Sequence, residues 1–313
     1  MRLLIAGWQG QVARALVEAA PQREGITAVA LGRPALDLCA PSSIAGALSD
    51  GRPDVAINTA AYTAVDAAED DEAAARRLNA HGAGLIAAEA ARRGAAIIHL
   101  STDYVFDGEA SGAYLPDAAP NPKSVYGTTK LEGEVAVAAA NPRHVIVRTA
   151  WVHSSTGHNF VKTMLRLARD RDEVRVVADQ VGSPTYAPHL ATALLAIAEQ
   201  VARFRDSEGD GATGDDVREA PWGVYHAAGS GQTSWADLAR AVFAESEKRG
   251  GPTAKVVDIA TSDYPTAAPR PKNSVLNCGS LEETFGQKLP AWEDGIAACV
   301  ARCLSSDEAS PAF

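Results

Sequence analysis

Aromatic residues are scarce in this chain, at 6% of 313 residues, too few to build a surface on which nucleic-acid bases stack. Basic residues are outnumbered as well. Twenty-nine lysines and arginines face 39 aspartates and glutamates, a formal net charge of −10. A nucleic-acid binder needs the opposite balance, because its surface cations must displace counterions from phosphates. An anionic small molecule is not excluded, since a few local cations outweigh a global field. Cysteine is limited to Cys39, Cys278, Cys299 and Cys303, with no CxxC pair. The spacing of Cys299 and Cys303 suits one face of a helix, and both read as core thiols. Neither a disulfide framework nor a zinc site is supported, and a reducing compartment is expected. The seven histidines show no HxxxH or HxH spacing, which disfavours a metal-dependent hydrolase. No apolar run approaches the roughly 18–20 residues needed to cross a membrane. The opening residues, Met1-Arg2 followed by a short apolar run, lack the pattern of a signal peptide. The expectation is a soluble cytoplasmic protein with no nucleic-acid or membrane partner.

What remains is ordinary globular composition, 46% hydrophobic and 22% charged. The length suits two domains, or one large α/β unit with an appendage. Apolar runs at 3–6, 28–31, 55–58, 96–100 and 145–148 lack polar alternation and read as strands buried on both faces. Amphipathic stretches at 12–20, 43–48, 69–93 and 125–140 lie between them. The alternation predicts an α/β fold, a doubly wound parallel sheet with helices on both sides. Further on, helices are expected at 158–169, 188–202 and 234–248, the last opened by Ser234 as N-cap, with a short strand at 223–227. Residues 206–219 are acidic and glycine-rich and read as a solvated loop, and the tail from residue 305 as short and frayed. The sheet domain should take residues 1–150 and about 186–228. A smaller substrate lobe should take about 151–185 and 229–313.

Gly7-Trp8-Gln9-Gly10-Gln11-Val12-Ala13 follows the first strand and opens the first helix. Glycines there let the backbone turn tightly and approach a pyrophosphate, whose charge then meets the helix N-terminus. At the end of the second strand stands Arg33 rather than a carboxylate, which suits a 2′-phosphate and favours NADPH. Asp37 suits either an adenine or ribose contact or the capping of a following turn. Tyr126-Gly127-Thr128-Thr129-Lys130 opens a helix with a phenol and an ammonium four residues apart on one face. Free tyrosine has a pKa of about 10, and a neighbouring cation is expected to lower it toward the working range of a proton donor. Ser101 and Thr102 end the fourth strand, where either hydroxyl can polarise a substrate carbonyl.

Together with residues 58–69 (NTAAYTAVDAAE), 101–108 (STDYVFDG), 147–152 (VRTAWV), 179–186 (DQVGSPTY) and 270–276 (RPKNSVL), these motifs span nearly the whole chain. They resemble the extended short-chain dehydrogenase/reductase family, and within it the members that reduce nucleotide-linked 4-keto sugars. The resemblance implies hydride transfer from NADPH to a C4 keto group, with NADH left open because the family varies in cofactor. It implies that Gly10, Gln11 and Val12 meet the cofactor diphosphate, that Asp37 and Leu38 lie by the adenine, and that Ala60, Ala61 and Thr63 line the cofactor groove. Tyr126 would be the proton donor, Lys130 its partner, and Thr102 the hydroxyl in preference to Ser101. Tyr104 and Trp151 would contact the nucleotide sugar. Asn159, Gln180 and Arg270 are further substrate candidates by location, Arg270 as a clamp on the diphosphate. The family's last loop glycine is Ala13 here, still a small residue. A glutamate that some members associate with magnesium at a dimer contact is Ala15 here, which argues against magnesium and against that form of homodimer. Two alternatives stay open: a different nucleotide-linked keto sugar, or a non-catalytic regulatory subunit of the methionine adenosyltransferase type. The presence of both Tyr126 and Lys130 favours catalysis.

Overall fold

The structure is a computed structural model and describes residues 1–209 and 220–308. Six strands form its central sheet: β1 (Arg2–Ala6), β2 (Thr27–Leu31), β3 (Val55–Asn58), β4 (Ala96–Thr102), β5 (His144–Thr149) and β6 (Gly223–His226). They lie in the order β6-β5-β4-β3-β1-β2, and every neighbouring pair is parallel. Side chains alternate across each strand, so the two faces feed different cores. Leu3 and Ile5 join Leu16, Leu190, Leu194 and Ile197 on one side. Leu4 and Ala6 join Ile44, Leu48, Ile86 and Ile97 on the other. A third core holds Val161, Met164, Val174, Val242 and Ile296, together with the buried cysteines Cys299 and Cys303. Here the helices Phe160–Leu167, Trp235–Glu247 and Trp292–Glu308 gather beside the parallel strands Glu173–Val177 and Lys255–Ile259. No helix among the described residues is long and apolar enough to cross a membrane.

Three sequence expectations need correction. First, β2 is not buried on both faces; Val29 is 47% exposed, because β2 is the sheet's edge with only β1 beside it. Second, the single helix expected over 69–93 is interrupted. Val65–Asp70 ends at Asp71, whose carboxylate caps Glu72–Arg76 by accepting the Ala74 N–H. The chain then widens into a π turn, Arg77–Gly82, before resuming as Ala83–Arg92. Such a turn inserts a residue, and this alanine-rich stretch has too few large apolar side chains to reveal the resulting shift in phase. Third, the helix expected at 188–202 runs from Ala187 to Gly209, so residues 206–209 of the supposed acidic loop are helical. Residues 210–219 lie outside the described residues. The helix Trp292–Glu308 likewise takes in the start of the supposed tail, and 309–313 are outside the description.

The π turn sits where two close approaches meet. A Cβ on Gly82 would lie 2.9 Å from the Leu38 Cβ, and one on Gly133 would lie 2.1 Å from the Asn79 carbonyl oxygen. Gly133 is mid-helix, where alanine ordinarily stabilises by about 0.5–1 kcal/mol. Here Gly133→Ala should instead cost about 1–3 kcal/mol by overpacking against backbone, read by denaturant unfolding. A variant as stable as the parent would show that the contact between the two helices opens freely.

Candidate active site

The strand order reverses between β1 and β3, and the crevice at their carboxyl ends is where open α/β sheets take ligands. Gly7 follows β1 with φ +101°, a left-handed conformation that glycine alone tolerates well. Its N–H donates to the Leu31 oxygen at 2.8 Å, and a Cβ there would strike the Thr59 Oγ1 after β3 at 2.7 Å. Gly10 is the N-cap of the helix Gln11–Ala19 with no side-chain cap, and a Cβ on it would meet nothing within 4 Å. No side chain caps the first N–H groups of this helix, and the space around exposed Gly10 is open, an arrangement suited to a diphosphate. The Gln11 side chain turns away from that space. Its Nε2 donates to the Val152 oxygen at 3.3 Å, while its Oε1 accepts from Ser154 Oγ and Asn159 Nδ2, both at 2.9 Å. Val12 packs into the core.

Trp8 is 54% exposed and its indole lies on Gly32, where a Cβ would come within 2.0 Å of Trp8 Cδ1. The next residue, Arg33, is exposed. Asp37 acts as the cap of a turn, its Oδ1 accepting the Cys39 N–H at 2.9 Å. Leu38 is buried against Gly82. Ala60 and Ala61 are partly buried and Thr63 exposed. Asn79 of the π turn fixes this segment: its Oδ1 accepts the Tyr62 N–H at 2.7 Å, and its Nδ2 donates to Thr129 Oγ1 at 3.1 Å. Asn79 thus ties the groove to the helix Val125–Ala140, which carries Tyr126 and Lys130. Sequence reasoning missed it, because nothing local marks a π turn.

That helix is capped by Ser124, whose Oγ accepts the Gly127 N–H at 3.1 Å. A Cβ on Gly127 would sit 2.1 Å from the Tyr104 oxygen, so only glycine lets the helix approach the end of β4 this closely. Thr102 there donates to Asp103 Oδ1 at 3.0 Å and accepts the Tyr104 N–H at 3.2 Å. Burial pushes Asp103 up to about 6, opposed by hydrogen bonds from Ser274 and Thr102. Its Oδ2 and the Ser101 Oγ are buried without a partner. Burial also pushes the Tyr126 phenol up, to about 12, with a Thr102 hydrogen bond opposing the rise. This corrects the expectation that Lys130 lowers it. Lys130 Nζ instead donates to the Leu100 oxygen at 2.7 Å and lies 3.4 Å from His99 Nε2. Burial lowers Lys130 to about 8, against the pull of Glu134 one turn further on. His99 is 1% exposed, and its other nitrogen meets Asn58 Nδ2 at 3.1 Å. As a lone strand histidine it gave no sequence signal.

A cavity of about 760 Å³ is lined among others by Tyr104, Trp151, Gln180, Trp235, Arg175 and Arg270. The Tyr104 ring meets Tyr126 edge-on at 5.5 Å, so a ring that lines the cavity touches the tyrosine. Trp151 has φ +48°, strained for a bulky residue, and stacks on Trp235 at 3.5 Å. Arg270 pairs with Asp66 through one terminal nitrogen at 2.5 Å, while its other is buried without a partner. Gln180 donates to Thr261 Oγ1 at 3.0 Å. Asn159 is placed differently. It caps Phe160–Leu167 and bonds Gln11, so both ends of its amide are held by the chain itself. Among the described residues no group of three or more His, Cys, Asp or Glu side chains could hold a metal ion, and Ala15 is buried in the core.

With this geometry, comparison with known proteins is specific. A family model described as the RmlD substrate binding domain matches residues 1–305. A dTDP-4-dehydrorhamnose reductase of Sinorhizobium fredii is 46% identical over 295 residues, covering 94% of this chain and 95% of that protein. Among solved structures, the dTDP-4-dehydrorhamnose reductase of Clostridium acetobutylicum superposes with a TM-score of 0.85 at 36% identity, over 96% of this chain and 99% of that one. The Bacillus anthracis dTDP-4-dehydrorhamnose reductase, solved in complex with NADP, gives a TM-score of 0.85 at 32% identity, over 96% and 98%. The chain belongs to the RmlD substrate-binding-domain family, and through it to the dTDP-4-dehydrorhamnose reductases.

Proposed function

We propose that the protein reduces dTDP-4-dehydro-β-L-rhamnose to dTDP-β-L-rhamnose with NADPH. The observation that supports this reading is the edge-on contact of the Tyr126 ring with Tyr104, a residue that lines a large cavity together with Arg270. The open helix N-terminus after Gly10 fits a cofactor diphosphate, with Gln11 and Val12 contributing backbone N–H groups. Arg33 would face a 2′-phosphate, Asp37 and Leu38 the adenine, and Ala60, Ala61 and Thr63 the groove between. When bound, NADPH supplies a hydride for C4 of the sugar. Tyr126 gives its proton to the alkoxide that forms, and its high pKa keeps that proton in place until then. Lys130 holds the cofactor side of the helix face. Thr102 has one proton, donated to Asp103 while that carboxylate is charged. A protonated Asp103 donates to Thr102 instead and frees the threonine proton for the substrate oxygen. Arg270 offers its unpartnered nitrogen to the sugar nucleotide's diphosphate, a charge-assisted bond. Tyr104, Trp151 and Gln180 complete the sugar-nucleotide side, with Asn159 acting through Gln11. The cofactor part is then 1–150 with about 186–228, and the substrate lobe the remainder.

The test is NADPH oxidation, followed by its absorbance, with a panel of nucleotide-linked 4-keto sugars. The dTDP-linked rhamnose precursor should be turned over fastest; failure with it, or a strong preference for another sugar, would overturn the assignment. In the same assay Arg33→Ala should raise KM for NADPH much more than for NADH. Equal effects on both would remove Arg33 from cofactor choice.

A further inference from the structure

The hydrogen-bond geometry around His99 assigns its proton. Asn58 Oδ1 accepts the Ala60 N–H at 3.1 Å, which fixes the amide and turns Nδ2 toward His99 Nδ1, also 3.1 Å away. An amide nitrogen only donates, so Nδ1 must be the accepting nitrogen. Burial keeps the ring neutral, with Lys130 adding to that effect. The single ring proton is therefore on Nε2, facing Lys130 Nζ at 3.4 Å. An ammonium has three donors and no lone pair, so it cannot answer an N–H. An uncharged amine can accept from His99 Nε2 while donating to the Leu100 oxygen at 2.7 Å.

We propose that His99, oriented by Asn58, is a positioning residue that favours the amine form of Lys130 and so makes its ammonium a ready proton donor during the reduction. The proposal rests on the reductase reading above. Each turnover leaves a Tyr126 phenolate that must regain a proton. The Lys130 ammonium, one helical turn away on the same face, is an acid suited to supply it. Its N–H bond breaks, the tyrosine O–H forms, the amine accepts the His99 N–H, and solvent returns the proton to lysine. The other groups around Lys130 do not supply this bias. Glu134 on its own helix pulls toward the charged form, but Arg148 from β5 holds that carboxylate in a bidentate pair. Tyr126 on the preceding turn is neutral at working pH, and Asp103 after β4 bonds Thr102. His99 on β4 is the group whose N–H opposes the ammonium directly.

Two NMR measurements on the purified full-length protein test the proposal. The ¹⁵N imidazole shifts of His99, assigned with His99→Asn, should show the Nε2–H tautomer; the Nδ1–H tautomer would overturn the proposal. The lysine side-chain resonance of Lys130, assigned with Lys130→Arg, should titrate well below the other lysines. His99→Asn retains an acceptor for Asn58 but brings no N–H to Lys130. It should raise that midpoint by about one pH unit, and the alkaline limb of kcat should move with it. An unchanged midpoint in a folded variant overturns the proposal. If His99→Asn does not fold, the tautomer of the parent decides. Neither NMR result depends on turnover, so failure of the keto-sugar assay would sink the proposed function and leave this test standing.

Discussion

Tyr126→Phe is expected to lower turnover with the dTDP-linked keto sugar by roughly 10²–10⁴-fold, the usual worth of a positioned general acid. The phenol is held protonated by burial, at about 12, so the parent enters each cycle with the proton in place. Phenylalanine keeps the ring that meets Tyr104 edge-on and removes only the hydroxyl. NADPH binding, followed by fluorescence, should therefore change little while kcat collapses. Retention of near-normal turnover would show that another group delivers the proton, and loss of cofactor binding in equal measure would recast Tyr126 as a binding residue.

Arg148→Met should cost about 3–5 kcal/mol of stability, the typical penalty for leaving one partner of a buried ion pair uncompensated. Arg148 and Glu134 side chains are each 4% exposed, and the guanidinium bonds both carboxylate oxygens, at 2.9 and 2.7 Å. Its remaining terminal nitrogen donates to the Pro116 oxygen, and the cation lies 5.0 Å from the Phe106 ring. Methionine fills part of that volume but leaves the Glu134 charge stranded between sheet and helix. Adding Glu134→Gln should restore much of the loss, because the stranded charge disappears with it. Chemical denaturation of the parent, both single variants and the double variant completes the cycle. A single-variant loss below about 1 kcal/mol would mean that water reaches the pair.

The sequence made legible what is local. The glycine loop, the Tyr126–Lys130 spacing and the Ser234 cap each lie within a few residues, and their chemistry follows from residue type and interval. The Ser234 Oγ does accept the Asp237 N–H at 3.0 Å. The order of strands and helices was readable for the same reason, since apolar runs and amphipathic stretches are short-range patterns. What escaped is assembled from distant segments. The role of His99 needs Asn58 from β3 and Lys130 from a helix. That of Asn79 needs a π turn whose phase shift is hidden in an alanine-rich stretch. The effect of Lys130 on Tyr126 was misjudged because spacing reveals proximity but not burial, and burial dominates both groups. The exposure of β2 depends on its place at the sheet's edge, which no single strand can announce.

The last strand of the sheet has a consequence for how the chain matures on the ribosome. β6 closes the flank of β5, yet it is made after the entire stretch from residue 150 to 222. The helix Ala187–Gly209, whose Leu190, Leu194 and Ile197 share a core with the helix Gln11–Ala19, also arrives late. A nascent chain from which residues 1–150 have emerged therefore carries an unpaired strand edge and an uncovered apolar helix face, the two features that most readily recruit a wrong partner. The half that builds most of the central sheet is the first to be translated and among the last to be sealed.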